Sequence, residues 1–269
     1  MKQRLCTLTL LLLAVVTISA QPKEDNALDD ALKAGLKNEL RTYISQAGLY
    51  GTNLDKALDI LLMQRTPRIV FSRATELSNS GYSIGDYGLG WCYEGGEGVP
   101  FDQNKAFTYF NKAANAKIPF PLAYRSLGYS YSNGDGIAKD TYEAYKWFSK
   151  GAKTITIPQY QSDCLRCMAN MLLKGEGVQK DEVEAFNHYC LSASISPNPK
   201  SSYMAGILKL QGVGTNADEE QAMAWLEKAA KLGHPKAQFI YGIYLVDRKK
   251  DPKEGEKWIM NAAVNGDSD

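Results

Sequence analysis

Residues Leu127–Ala152 read LGYSYSNGDGIAKDTYEAYKWFSKGA. Just before and into this stretch, Ala123, Leu127 and Tyr131 recur every four residues, which sets one apolar stripe on a helix. Gly128 has no side chain, so a neighbouring helix can approach closely there, which offsets its poor helix propensity. Asn133-Gly134-Asp135-Gly136 breaks that helix, the glycines supplying positive φ. Asp140 is placed to cap a second helix, on which Ala144, Trp147, Phe148 and Gly151 form the facing stripe. The stretch predicts an antiparallel helical hairpin. One such hairpin cannot bury its apolar face alone, but stacked neighbours can.

The same grammar recurs. Gly-x-Gly pairs stand at Gly96/Gly98, Gly134/Gly136, Gly175/Gly177 and Gly212/Gly214, a period of roughly 40 residues in the range of helical repeats. Each pair is followed in fixed register by an Asp (Asp102, Asp140, Asp181, Asp218) and an Ala (Ala106, Ala144, Ala185, Ala222). Tyr109, Trp147, His188 and Trp225 come next. A fifth copy lacks the glycine loop but keeps Asp251, Gly255, Trp258, Ala262 and Ala263 in register. The fold class that follows is all-α, an α-solenoid of stacked antiparallel helix pairs.

These motifs resemble the Sel-one-like repeats, a branch of the tetratricopeptide-type helical repeats. Gly90, Tyr93, Gly96, Gly98, Val99, Asp102, Ala106, Tyr109, Ala113 and Ala114 match the family pattern in the first copy. Gly206, Gly212, Gly214, Asp218, Ala222, Trp225, Ala229, Ala230 and Gly233 match it in the fourth. The third copy departs at Ala169, where the family has Gly, and at His188, where it has an aromatic. The resemblance implies a right-handed superhelix and a role in protein–protein interaction, with no particular reaction. The organisation expected is a signal peptide at 1–20, an N-terminal helical cap at 21–81, and five repeats at about 82–119, 120–157, 158–197, 198–233 and 234–269.

Residues 1–20 begin with Lys2 and Arg4 and continue as a short apolar run ending in small residues. That is the pattern of a secretory leader cleaved after Ala20, and the run is too short for a comfortable membrane span. The chain has no Asn-x-Ser/Thr sequon, which favours bacterial export to the periplasm or medium. In the cap, Leu28, Ala31, Leu32 and Leu36 set an amphipathic stripe, and Leu54–Met63 sets another. At the other end the sequence closes on Asn265-Gly266-Asp267-Ser268-Asp269 with no polar capping helix in view: either it is truncated there, or the last helix pair exposes an apolar face that a partner or a second copy of the chain covers. Hydrophobic residues at 44% and charged residues at 23% are ordinary for a globular chain. The formal charge of +1 becomes −1 without Lys2 and Arg4, and basic residues are scattered. Nucleic acid is therefore not an expected partner.

Beyond the leader the cysteines are Cys92, Cys164, Cys167 and Cys190. Cys164 and Cys167 fall on the third copy's first helix and Cys190 on its second. Cysteine-rich secreted members of the family carry a disulfide between the two helices of one repeat. The resemblance thus implies a Cys167–Cys190 or Cys164–Cys190 bridge, with both pairings open. Cys164-x-x-Cys167 with His188 and Cys190 also has the residue types of a zinc site. However, His188 and Cys190 are two apart on a helix and point away from one another. Neither metal nor cofactor is expected.

No H-E-x-x-H, G-x-S-x-G or phosphate-cradling glycine loop is present. His234 lies in Gly233-His234-Pro235, a turn into the fifth copy where the family commonly has this sequence. Some cysteine-rich relatives are credited with acting on β-lactams or the cell wall, which is the alternative reading. The Ser-x-x-Lys pair of the serine enzymes of that kind is absent here. A helical wheel centred on the Leu before each first-helix Gly places one stripe opposite the core. It contains Tyr87, Trp91, Arg125, Tyr129, Arg166, Tyr203, Ile207 and Phe239. A solvated face would be rich in Lys and Glu, whereas this one has the composition of interface hot spots. By analogy with tetratricopeptide-type solenoids it lines the concave side. The expectation is an exported, non-enzymatic scaffold that grips a protein there, in its most concrete form an immunity protein against a secreted toxic effector.

Overall fold

The computed structural model describes residues 51–62 and 66–266, with a few positions between 41 and 49. The expected leader at 1–20 and the Leu28–Leu36 stripe lie outside the described residues. Twelve helices and no strands occur among the described residues. They are α1 (Gly51–Leu62), α2 (Pro67–Asn79), α3 (Ser83–Gly95), α4 (Gln103–Ala114), α5 (Leu122–Asn133) and α6 (Thr141–Thr154). They continue as α7 (Pro158–Lys174), α8 (Glu182–Ile195), α9 (Pro199–Gln211), α10 (Glu219–Lys231), α11 (Pro235–Asp247) and α12 (Pro252–Gly266). The chain divides into two compact units, with the boundary between Lys139 and Asp140. It falls between α5 and α6, the two helices of the second repeat.

Each glycine loop is built alike. Its first glycine ends a first helix in the left-handed region, as at Gly134 with φ 82°. Its second glycine is pressed against the opening residue of an earlier helix. A Cβ on Gly136 would lie 2.1 Å from the Gln103 carbonyl oxygen, and one on Gly214 would lie 1.9 Å from that of Glu182. The aspartate that follows then caps the second helix. Asp102, Asp140, Asp181, Asp218 and Asp251 each accept from the backbone N–H three residues on, at 2.8–3.1 Å. Such a cap contributes about 1 kcal/mol. The fifth aspartate caps α12 although no glycine loop precedes it.

In the first unit, α2 takes the place of a repeat's second helix. Gly98 packs against Pro67 at the start of α2, as Gly136 packs against Gln103 at the start of α4. α1 and α2 are thus a hairpin stacked in register, a relation that the sequence conceals because Pro67, not an aspartate cap, opens α2. Polar contacts hold it: Arg73 pairs with Asp59 across α1 and α2. Asp86, buried on α3, accepts from Ser78 Oγ at 2.5 Å and from Lys112 Nζ at 2.7 Å. Gly90 lies against the Phe110 ring, where a Cβ would come within 2.6 Å.

In the second unit, α7, α8 and α9 share a buried serine cluster. Ser192 Oγ lies 2.9 Å from Ser162 Oγ and 2.7 Å from Ser201 Oγ, and it donates to the Ser162 carbonyl at 2.8 Å. Further on, Met223, Leu226, Ala229, Ala230 and Ala237 form a core cluster between α10 and α11. The hairpin of α11 and α12 crosses at two glycines, the Gly242 position facing the Gly255 carbonyl.

Candidate functional site

The first-helix stripe divides into residues that remain accessible and residues that do not. In the first unit Trp91 and Tyr129 are half-buried, but Tyr87 is only 6% exposed and Arg125 only 5%. Tyr87 packs against Phe110 and Phe120, with ring centroids 5.7 and 5.0 Å apart. Phe120 reaches it because the chain after α4 folds back, its N–H donating to the Ala113 carbonyl at 3.0 Å. The Arg125 guanidinium lies over the Tyr129 ring, 5.0 Å from its centroid. Tyr87 and Arg125 are therefore corrected from contact surface to structural residues. A wheel drawn for one helix cannot see a ring delivered by a loop.

In the second unit Arg166 is half-buried and held by Asp163 at 2.5 Å. Tyr203 is half-buried and stacked on His234, with centroids 4.3 Å apart and planes 14° apart. His234 is itself the cap of α11, its Nδ1 accepting from the Ala237 N–H at 3.3 Å. Ile207 packs against the α10–α11 cluster, whereas Phe239 is 50% exposed. Beside Phe239 lies an apolar cleft of about 460 Å³, lined also by Tyr203, Pro235, Lys236, Ile240, Ile259, Ala262 and Ala263. Sequence reasoning named Tyr203 and Phe239 but missed the α12 wall. The signal for it was the repeat register, since Ile259 and Ala263 stand where Leu226 and Ala230 stand one copy earlier.

Cys190 carries a free thiol in this structure, so neither expected bridge to it is formed. A Cβ on Gly151 of α6 would meet Cys164 Sγ at 2.8 Å, which places that sulfur against the preceding helix. Arg166 donates to Cys167 Sγ at 3.8 Å. Cys190 packs against a cluster of Ala169, Tyr189, Ala205 and Leu208, drawn from α7, α8 and α9. Burial pushes the Cys190 thiol up to about 11 and the Cys92 thiol up to about 12, so both are protonated and weakly nucleophilic at neutral pH. Burial likewise holds His188 below the usual histidine range, against the pull of Glu184. Its Nε2 lies 3.5 Å from Glu184 Oε1. Among the described residues no group of three or more His, Cys, Asp or Glu is arranged to hold a metal ion. No described helix is long and apolar enough to cross a membrane.

These surfaces belong to a recognisable architecture. Over 75 residues the chain is 35% identical to an exopolysaccharide production negative regulator of Rhizobium leguminosarum bv. viciae, a stretch that is 28% of each protein. The structure resembles that of a protective antigen present in uropathogenic Escherichia coli strains that displays an SLR fold, with a TM-score of 0.68 and 22% identity. That match covers 79% of this chain and 45% of the antigen, and it speaks to the fold alone. A Sel1 repeat protein from Oxalobacter formigenes matches with a TM-score of 0.60 and 28% identity, over 73% of this chain and 84% of that one. The fold is thus an α-solenoid. Sel1 repeat proteins act as protein-interaction scaffolds and are generally not enzymes. The Sel1 repeat model matches residues 83–117, 121–153, 165–195 and 199–234, half of the sequence, and the chain belongs to the Sel1 repeat family.

Proposed function

We propose that this chain is exported behind residues 1–20 and acts as a non-enzymatic scaffold that captures a protein partner on its first helices. The observation that carries this reading is the accessible part of the stripe. Trp91 and Tyr129 in the first unit, and Arg166, Tyr203, Ile207 and Phe239 in the second, stand where a merely solvated surface would carry Lys and Glu. Rigid aromatic side chains anchored by stacking, as Tyr203 is on His234, lose little freedom on binding. The most concrete form is a periplasmic immunity protein that neutralises a secreted toxic effector, for which family analogy supplies the partner class. The regulatory name of the Rhizobium relative supports an inhibitory role over a catalytic one. Self-association through the C-terminal hairpin is proposed as a separate property.

The test is affinity capture from the native envelope with the 21–269 form, beside a Trp91→Ala/Tyr129→Ala/Tyr203→Ala variant shown by circular dichroism to be folded. One tight partner, lost by the variant, is the expected result, and its identity separates toxin inhibitor from envelope scaffold. A partner retained by the variant would remove the first-helix surface from consideration. N-terminal sequencing of the envelope-derived protein tests cleavage after Ala20.

A further inference from the structure

Side-chain caps close helices of both units among the described residues, and they are not chemically alike. Five are the aspartates at the starts of α4, α6, α8, α10 and α12. Asn198 caps α9, its Oδ1 accepting from the Ser201 N–H at 3.0 Å. His234 caps α11, its Nδ1 accepting from the Ala237 N–H at 3.3 Å. Asn198-Pro199 and His234-Pro235 hold the same place in successive repeats, each with proline opening the helix. An asparagine caps at any pH, and an aspartate keeps its acceptor until the pH nears about 4. An imidazole loses its acceptor nitrogen to a proton near about pH 6.5. Of these caps, His234 is the one that titrates between pH 7.5 and pH 5.

The same ring supports a residue of the capture surface, because Tyr203 stacks on it with centroids 4.3 Å apart and planes 14° apart. A protonated imidazole carries a hydrogen on both nitrogens and cannot accept from Ala237. Kept in place, it would point Nδ1–H at the Ala237 N–H and set a cation at the positive end of α11. Stacking on Tyr203 does not remove that opposition, so the charged ring leaves the cap and the tyrosine together. The charged and titratable groups at this end of the packed elements do not favour the cation either. Among the described residues they are Lys200 and Tyr203 on α9, Glu227, Lys228 and Lys231 on α10, and Lys236 on α11. Glu227 is engaged by Lys231 at 2.7 Å, and Lys228 donates to the Ala193 carbonyl at 2.5 Å. Beside Pro235, α12 presents only Ile259, Ala262 and Ala263. We propose that His234 is a pH gate on the first-helix surface: neutral, it caps α11 and fixes Tyr203 for capture, and protonated, it releases both. The inference rests on the reading of Tyr203 as part of the capture surface.

The test is an NMR titration of the 21–269 form from pH 7.5 to pH 5, beside His234→Asn, with circular dichroism as the control for folding. His188→Phe assigns the two imidazole signals. The exchange protection factor of the Ala237 amide should fall roughly fivefold to tenfold, in step with the His234 signal. The Tyr203 ring signals should move with the same midpoint. In His234→Asn, which keeps a cap that does not titrate, both should stay constant, as should the Ser201 amide in either protein. Protection at Ala237 that stays flat while His234 titrates overturns the proposal. So does an equal fall in His234→Asn, or a Tyr203 ring indifferent to the titration. The consequence for binding is read on the partner captured at pH 7.5, which should elute at pH 5 from the original chain and stay on His234→Asn. Retention by both at pH 5 also overturns the gate. Capture of nothing at pH 7.5 would instead count against the capture reading, and the titration would still decide whether His234 releases its cap and Tyr203.

Discussion

The first hairpin, α3–α4, and the third, α7–α8, share a loop, a cap and a register, yet their centres differ chemically. In the first, Gly90 meets the Phe110 ring, Ala113 is buried behind it, and Tyr109 stacks on Tyr93 with centroids 5.7 Å apart. In the third, the same positions hold Ala169, Tyr189, Ser192 and His188. Tyr189 donates to Asn170, Ser192 joins the serine cluster, and His188 faces Glu184. One centre is dry and the other hydrogen-bonded. The difference teaches that loop and cap hold the repeat geometry, while the centre accepts either chemistry: Tyr189 and Ser192 are hydrogen-bonded there, and His188 Nε2 is buried without a hydrogen bond, 3.5 Å from Glu184.

If that is right, the shared part should be the less forgiving. Gly98→Ala and Gly177→Ala should each destabilise by about 3 kcal/mol in urea unfolding, since both glycines have positive φ and abut earlier backbone. Similar losses in the two hairpins would support a common frame. A loss below about 1 kcal/mol in either would break the comparison. Opposite chemical edits should each destabilise the centre that receives them. Tyr189→Phe removes a hydrogen bond and leaves Asn170 without it, at a cost of about 1–2 kcal/mol. Phe110→Tyr adds a hydroxyl to a dry centre, at about 1–3 kcal/mol unless it reaches a partner. If Tyr189→Phe proves neutral, the third centre is not held by its polar contacts.

The smallest effect concerns pH. Burial depresses His188 in the folded state, so the unfolded chain takes up a proton first as the pH falls. This contribution to stability is present above the unfolded value of about 6.5 and is lost as the pH drops from there towards the lower folded value. His188→Phe should flatten that part of the stability–pH curve, while Tyr109→Phe in the first hairpin should leave it unchanged. An equal slope in both variants would assign the pH dependence to other groups.

Helix existence, loop chemistry and capping were legible in the sequence because each is a short-range property. A glycine pair breaks the chain, and an aspartate binds an N–H three residues away, whatever else the protein does. The cap was legible for the same reason even at Asp251, which caps α12 without a glycine loop before it. What the tertiary structure alone decided depends on side chains delivered from other elements. Phe120, carried back by the chain after α4, buries Tyr87. The sulfur of Cys164 lies against Gly151 of the preceding helix, α6. Pro67 at the foot of α2 receives Gly98 and makes α1 and α2 part of the stack. Phe239 and Ile243 are exposed where Tyr203 and Ile207 are half-buried, because exposure belongs to a residue's neighbours and not to its position in the repeat.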